Sequence, residues 1–294
     1  MADPVVMFGL GATKAGTTWL HRYLSAHPDC AMPPNKELHY FDRIESGTLA
    51  RELKIVRDKR ARLARDRGDA PPSRARALDR SIAALDAWAD VLARGVEDAA
   101  AYRAFLTAGT GGRRVVGDIT PAYALLAPET LDRMQRIAPD TRFVYLLRDP
   151  VDRLWSHLRM VAGRAGHAGP AVLPAAQAAF DTWAAGGHPE ITARGDYAAI
   201  LPKLGGAIRP GALFIEFYER LFEDAGVARL CSFLGIGMRK GDYARRVHEG
   251  GAAPLDAARA ERARALLEPQ YAAVRTYLGD LPARWTMNVT ERAA

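Results

Sequence analysis

The chain of 294 residues has only two cysteines, Cys30 and Cys231. Two cysteines neither build a disulfide framework nor complete a zinc site, so both read as buried free thiols. No stretch reaches the roughly 18 apolar residues of a membrane-crossing helix. No basic-then-apolar leader opens the sequence, because the first apolar run, Val5 to Leu10, reads as a strand. These absences imply a cytoplasmic protein without a membrane span. The sequence also lacks an internal repeat, a low-complexity tail, a nucleic-acid motif and a metal-ligating constellation. Neither a metal nor a nucleic-acid partner is expected, and nothing in the sequence sets an oligomeric state.

Hydrophobic residues make up 49% of the chain. That content and length suit one α/β domain over residues 1–294, with a sizeable core. Lys and Arg number 41 against 34 Asp and Glu, a formal charge of +7. A diffuse positive balance favours an anionic ligand.

Val5 to Gly11 is an apolar run that meets a turn with Gly11 and Gly16, and Thr17 to Ala26 follows at helical spacing. Glycines let backbone N–H groups approach an anion, and the helix N-terminus adds its positive dipole end. Lys14 lies inside the turn, and the hydroxyls of Thr17 and Thr18 open the helix. The loop is close to G-x-x-x-x-G-K-[ST], but Thr17 stands where a nucleotide triphosphatase has lysine. It is equipped for a phosphate or sulfate without the lysine that reaches the outer phosphates of ATP.

Thr141 to Leu147 reads as a buried strand, running into Arg148-Asp149-Pro150-Val151-Asp152-Arg153-Leu154-Trp155-Ser156. Pro150 suits a first helical turn. Arg148 then lies at the carboxyl end of the strand, where open parallel sheets bind ligands. Ser156 follows about two helical turns in. Arg148 supplies a planar fork for phosphate and Ser156 a hydroxyl.

Elsewhere, residues 46–107 form an arginine-rich helical insertion, divided at Pro71 and Pro72. Most of its arginines read as a solvated face, and some as the lining of an entrance for an anionic acceptor. Arg114 to Tyr123 reads as a short strand and turn, and Pro128 to Ile137 as a helix. Residues 162–174, rich in glycine, proline and alanine, read as a mobile loop. Ala212 to Phe217 is another strand, and Asp224 to Leu234 a helix. Ala257 to Leu278 is a helix interrupted at Pro269.

Lys14, Ala15, Gly16, Thr17, Thr18, Trp19 and Leu20 form the pattern K-x-G-T-T-W-L. It resembles the 5′-phosphosulfate loop of sulfotransferases that use 3′-phosphoadenosine 5′-phosphosulfate (PAPS). The strand followed by R-D-P-x-x-R-x-x-S resembles their 3′-phosphate segment, with Arg148 and Ser156 as its binding residues. The resemblance implies a central parallel sheet flanked by helices, with a P-loop-like phosphosulfate-binding loop. It implies PAPS as donor, adenosine 3′,5′-bisphosphate as product, and no metal.

Within the superfamily, Lys36-Glu37 with His39 and Phe41 resembles the K-E-x-H-x-F segment of heparan-sulfate-type enzymes. There Glu37 is implied as the base, Lys36 as acceptor-side and His39 as the rival base. Gly117 to Tyr123 resembles G-E-x-T-P-x-Y, with Asp118 in place of Glu. It implies an acceptor-side wall that includes Asp118, Thr120 and Tyr123. Arg194-Gly195-Asp196-Tyr197 resembles a segment whose tyrosine packs near cofactor or acceptor. Arg239-Lys240-Gly241, ahead of Val247-His248-Glu249-Gly250-Gly251, resembles a late 3′-phosphate loop. The implied acceptor is a small molecule or glycan bearing a hydroxyl, or an amine. Two rivals stand beside this reading: a P-loop kinase or NTPase, and a non-enzymatic polyanion-binding protein.

Overall fold

The computed structural model of the protein describes residues 3–243 and 255–287. Among them the strands are β1 (Val5–Gly11), β2 (Cys30–Ala31), β3 (Val115–Ile119), β4 (Thr141–Leu147) and β5 (Leu213–Phe217). They form one five-stranded sheet in the order β2-β3-β1-β4-β5. Every pairing is parallel. β1, β3 and β4 are buried along nearly their whole length, as strands covered on both faces must be. A Cβ on Gly117 would collide with the Met7 carbonyl oxygen. Only glycine lets β3 lie this close to β1.

The chain leaves β1 for β2 and β3 on one side, then returns to β4 and β5 on the other. The crevice at the carboxyl end of β1 is thus a topological switch point, where such sheets bind ligands. Three predicted motifs end there: the glycine turn after β1, Thr120 after β3 and Arg148 after β4.

The helix α1 (Thr17–Ala26) has the expected bounds. A short α2 (Phe41–Glu45) precedes the arginine-rich region, which folds as α3 (Leu49–Gly68), α4 (Pro72–Leu92) and α5 (Ala99–Thr107). Pro71 and Pro72 divide α3 from α4 as expected, with proline tolerated in a first turn. α6 (Pro128–Gln135) leads into β4, and α7 (Pro150–Arg164) leaves it. Phe8, Phe41, Tyr102 and Phe143 are fully buried around β1. Phe8 touches the other three with ring centroids 5.6 to 6.2 Å apart. Cys30 and Cys231 are buried free thiols.

The expected loop at 162–174 is mostly helical. α7 runs to Arg164, Gly169–Ala171 is a 3-10 turn, and α8 (Val172–Ala184) begins directly after it. Alanine favours helix, and Pro170 and Pro174 fall in first turns, where a missing N–H costs nothing. α9 (Pro189–Ala193) and α10 (Tyr197–Ala207) were not expected. α10 carries Pro202 inside it, which masks its pattern in the sequence.

After β5 come α11 (Tyr218–Leu221) and α12 (Asp224–Leu234), the latter as expected. α13 (Ala257–Leu266) and α14 (Glu268–Leu278) break beside Pro269, and α15 (Ala283–Thr286) follows. The predicted Val247-His248-Glu249-Gly250-Gly251 segment lies outside the described residues. Among the described residues, no helix is long and apolar enough to cross a membrane.

Candidate active site

The turn after β1 delivers Lys14 with φ 72° and Gly16 with φ 87°. A Cβ on Gly16 would press on the Tyr218 ring at 2.9 Å, so glycine is needed for both conformation and space. α1 starts at Thr17 with no side-chain cap and no acidic residue in its first turn. Its first N–H groups therefore have no partner within the helix. Thr17 and Ala15 are buried, and Lys14 and Thr18 are half-buried.

Arg148 joins this loop from the end of β4. Its Nη1 donates to the Lys14 carbonyl oxygen at 3.2 Å. Its guanidinium lies 4.8 Å from the Tyr218 ring centroid. Tyr197 is fully buried, and its hydroxyl donates to the Arg148 carbonyl at 2.9 Å. Tyr197 therefore fixes the Arg148 backbone from within the core. Asp149 caps α7 by accepting from Asp152 N at 3.0 Å, and Ser156 lies half-buried two turns along that helix.

Cations crowd this crevice. Burial lowers the pKa of Lys14, and the charges of Arg148, Arg164 and Arg159 lower it further. Burial also pushes His157 down, and Arg153, Arg194, Lys14 and Arg164 carry it to about 3. His157 is thus neutral in a strongly positive field. Arg153 is 2% exposed, and its Nε and Nη1 have no hydrogen-bond partner. The buried Nε of Arg148 also has none. Unsatisfied buried donors are costly, and their concentration here fits a site that accepts an anion.

Arg194 and Arg153 were not singled out from the sequence. Arg194 Nη1 donates to Thr13 Oγ1 at 3.3 Å, on the glycine turn itself. Its only local signal in the sequence is the Arg194-Gly195-Asp196-Tyr197 segment. The Arg239-Lys240-Gly241 segment does approach α1. The Arg239 carbonyl accepts from Tyr23 Oη at 2.8 Å. A Cβ on Gly241 would sit 2.7 Å from the Trp19 ring. The side chains of Arg239 and Lys240 are exposed, while Trp19 is buried and stacks on Tyr23 at 5.3 Å.

On the other side of β1, the loop between β2 and α2 presents Lys36, Glu37 and His39. Lys36 Nζ donates to Glu37 Oε1 at 2.5 Å. His39 Nε2 lies 3.6 Å from Glu37 Oε2, and its Nδ1 is 2.8 Å from Asp42 Oδ2. Partial burial raises the Glu37 pKa, but hydrogen bonding to His39 and the charge of Lys36 outweigh it and hold the carboxyl at about 2. Burial disfavours the charged His39, yet the hydrogen bonds to Asp42 and Glu37 prevail and lift it to about 9. His39 is therefore a cation at neutral pH and Glu37 an anion. The charge of Lys36 is also felt at Lys14, so the two loops face one crevice.

Among the described residues, four non-glycines have positive φ: Lys14, Glu37 (65°), His39 (52°) and His188. The first three are predicted site residues. A left-handed conformation costs a non-glycine residue about 1–2 kcal/mol, and such strain collects at functional sites.

Asp118, Thr120 and Tyr123, expected on an acceptor-side wall, are buried beneath this loop instead. They hold its backbone in register. Leu38 N donates to Asp118 Oδ1 at 3.4 Å, His39 N to Thr120 Oγ1 at 3.5 Å and Tyr40 N to Tyr123 Oη at 3.0 Å. Asp118 in turn accepts from Thr120 Oγ1, Tyr123 Oη and Tyr102 Oη at 2.8, 2.7 and 3.0 Å. Burial raises the Asp118 pKa against these hydrogen bonds. From α1, His21 Nε2 bonds the Pro33 carbonyl oxygen at 2.9 Å. Among the described residues, no group of three or more His, Cys, Asp or Glu side chains is placed to hold a metal ion.

The sequence model described as the Sulfotransferase family matches residues 4–240, which include both the glycine turn and the Arg148 segment. The chain belongs to the sulfotransferase family. The crystal structure of a sulfotransferase from Alicyclobacillus acidocaldarius superposes with a TM-score of 0.62 at 21% identity. The alignment covers 98% of this sulfotransferase and 100% of that chain. At that identity the likeness establishes the shared fold. The sulfotransferase domain of the Synechococcus PCC 7002 olefin synthase also matches, with a TM-score of 0.48, 17% identity and coverage of 95% and 96% of the two chains. A sulfotransferase domain from the curacin biosynthetic pathway gives 0.49 at 19% identity, over 100% and 99% of the two chains. No curated protein matches the chain.

Proposed function

We propose that this sulfotransferase moves a sulfuryl group from PAPS to a hydroxyl of a small-molecule or glycan acceptor. The contact that carries the reading is Arg148 Nη1 to the Lys14 carbonyl. It joins the two segments that the resemblance assigns to the 5′-phosphosulfate and the 3′-phosphate of one nucleotide. The unsatisfied donors of Arg148 and Arg153 fit an anionic ligand.

In this reading Lys14, Ala15, Gly16, Thr17, Thr18 and Trp19 frame the 5′ end of the nucleotide. Arg148 and Ser156 take its 3′-phosphate, supported by Arg239, Lys240 and Gly241. Arg194, reaching Thr13, adds positive charge to the same cradle. Lys36 and Glu37 face the acceptor. The donor supplies an activated S–O bond. Glu37 takes the acceptor's hydroxyl proton as the oxygen bonds to sulfur. Lys14 stabilises the electron pair left on the departing phosphate oxygen. Its lowered pKa makes it a stronger donor at that oxygen. The K-E-x-H segment favours a glycan or other alcohol over an amine.

Labelled PAPS and an acceptor panel test the reading. Lys14→Ala is expected to cut turnover roughly a hundredfold to thousandfold while the fold persists, as losing one preorganised charge donor does. A folded variant with near-normal turnover would reduce Lys14 to a surface charge.

A further inference from the structure

The helices α3 to α5 are tied to the loop that carries Glu37. Asn35 Nδ2 donates to the Ser81 carbonyl at 3.2 Å. Arg43 Nε meets Glu52 Oε2 at 3.0 Å. Asp98 N donates to Tyr40 Oη at 2.7 Å. The arginine-rich region is thus fixed in place beside the candidate base.

α3 has two unlike sides. On the α4 side its arginines are paired: Arg60 with Asp86 at 3.0 Å and Arg67 with Asp79 at 2.9 Å. On another stripe stand Ile55, Asp58, Lys59, Arg62 and Arg65, spaced so that they share one helix face. They line an open recess of about 430 Å³. Lys54 occupies Asp58 at 2.7 Å. Lys59, Arg62 and Arg65 have no ion-pair partner among the described residues. Ile55 is 45% exposed in the same recess, and Lys59 is half-buried. Burial lowers the Lys59 pKa, as does Arg62, while the negative charges of Glu37 and Glu52 oppose the shift. Lys59 therefore stands in the electrostatic reach of Glu37. From Lys59 to Arg65 the stripe runs about 9 Å along the helix axis.

An unpaired cationic stripe on the helix that the Arg43–Glu52 pair ties to the Glu37 segment suits a substrate with two functional ends. We propose that this recess is an acceptor subsite and that the acceptor is an anionic alcohol. Its hydroxyl meets Glu37, and its carboxylate, sulfate or phosphate lies on Lys59, Arg62 and Arg65. The exposed Ile55 covers the apolar part of the same molecule. This inference rests on the transfer reading above and names its substrate class.

Calorimetry on protein saturated with adenosine 3′,5′-bisphosphate tests it with two matched pairs. These are trigalacturonate against maltotriose, and 6-hydroxyhexyl phosphate against hexane-1,6-diol. In at least one pair the anionic member is expected to bind about tenfold tighter or better. The triple variant K59Q/R62Q/R65Q is expected to erase that margin. The control R74Q/R76Q/R80Q removes the same charge from exposed positions of α4 and is expected to keep it. No margin in either pair would overturn the subsite. Equal losses in both triple variants would overturn it too, since they would mean diffuse attraction by surface charge. A wild-type protein whose melting temperature ignores the bisphosphate would overturn the transfer reading instead. The same titrations on the protein alone would still decide the recess.

Discussion

His39 Nε2 and Glu37 Oε2 lie 3.6 Å apart, with Asp42 closing the far side of the imidazole at 2.8 Å. The two side chains that competed as base are members of one ion pair. A histidine bracketed by two carboxylates keeps its proton. It then serves to orient Glu37, which holds the free lone pairs.

The His39 imidazole is expected to titrate near 9, well above its ordinary 6.5. NMR of the histidine ring measures this directly, and Asp42→Asn should bring the midpoint down. A midpoint near 6.5 in the wild type would dissolve the bracketing. The stability consequence has a definite sign. The raised His39 pKa contributes fully below pH 6.5 and is lost as pH rises through 9. The depressed Glu37 pKa contributes above its ordinary 4.5 and is lost as pH falls toward 2. The pair thus supports the fold most between about pH 4.5 and 6.5.

Glu37→Gln keeps the side-chain volume and removes the proton acceptor. Turnover is expected to fall roughly a hundredfold to ten-thousandfold, the usual scale of general-base catalysis. Binding of adenosine 3′,5′-bisphosphate should stay near that of the wild type. His39→Asn should be milder. An active Glu37→Gln beside a dead His39→Asn would move the base to His39.

Asp118→Asn tests the brace beneath the loop. The carboxylate accepts from three hydroxyls, and an amide would turn an NH₂ toward them. Displaced by such a clash, Glu37 would lose its aim, and a misplacement of about 1 Å costs on the order of a hundredfold in rate. The expected signature is a lower kcat with unchanged nucleotide binding. A parallel fall in nucleotide binding would make Asp118 a general fold residue.

β1 and β4 were legible because β-branched and aromatic runs at Val5–Gly11 and Thr141–Leu147 have few alternatives once buried, whereas the two-residue β2 (Cys30–Ala31) is too short to leave a pattern. α1 and α12 were legible from spacing and punctuation. α8 and α10 were not, because Pro170, Pro174 and Pro202 read as breakers although two fall in first turns and one is carried inside a packed helix. At the site, Lys14 and Arg148 stood out because a glycine turn and R-D-P each mark the carboxyl end of a strand. The pairing of Arg194 with Thr13 joins residues 181 positions apart, and no local pattern announces it. Asp118, Thr120 and Tyr123 were found as a motif, but a five-residue strand does not say which side chains turn inward. Their work on the loop backbone emerged only from the hydrogen bonds.

The central claim is a crevice built for a nucleotide bearing both a 5′ and a 3′ anionic group. Thermal denaturation with adenosine 3′,5′-bisphosphate, AMP and ATP tests it most directly. A ligand that binds only the folded state raises the melting temperature by mass action. The bisphosphate is expected to raise it clearly, and AMP and ATP far less, because neither offers a 3′-phosphate to Arg148 and Ser156. Equal shifts with ATP and the bisphosphate would contradict the account and favour a kinase-like site.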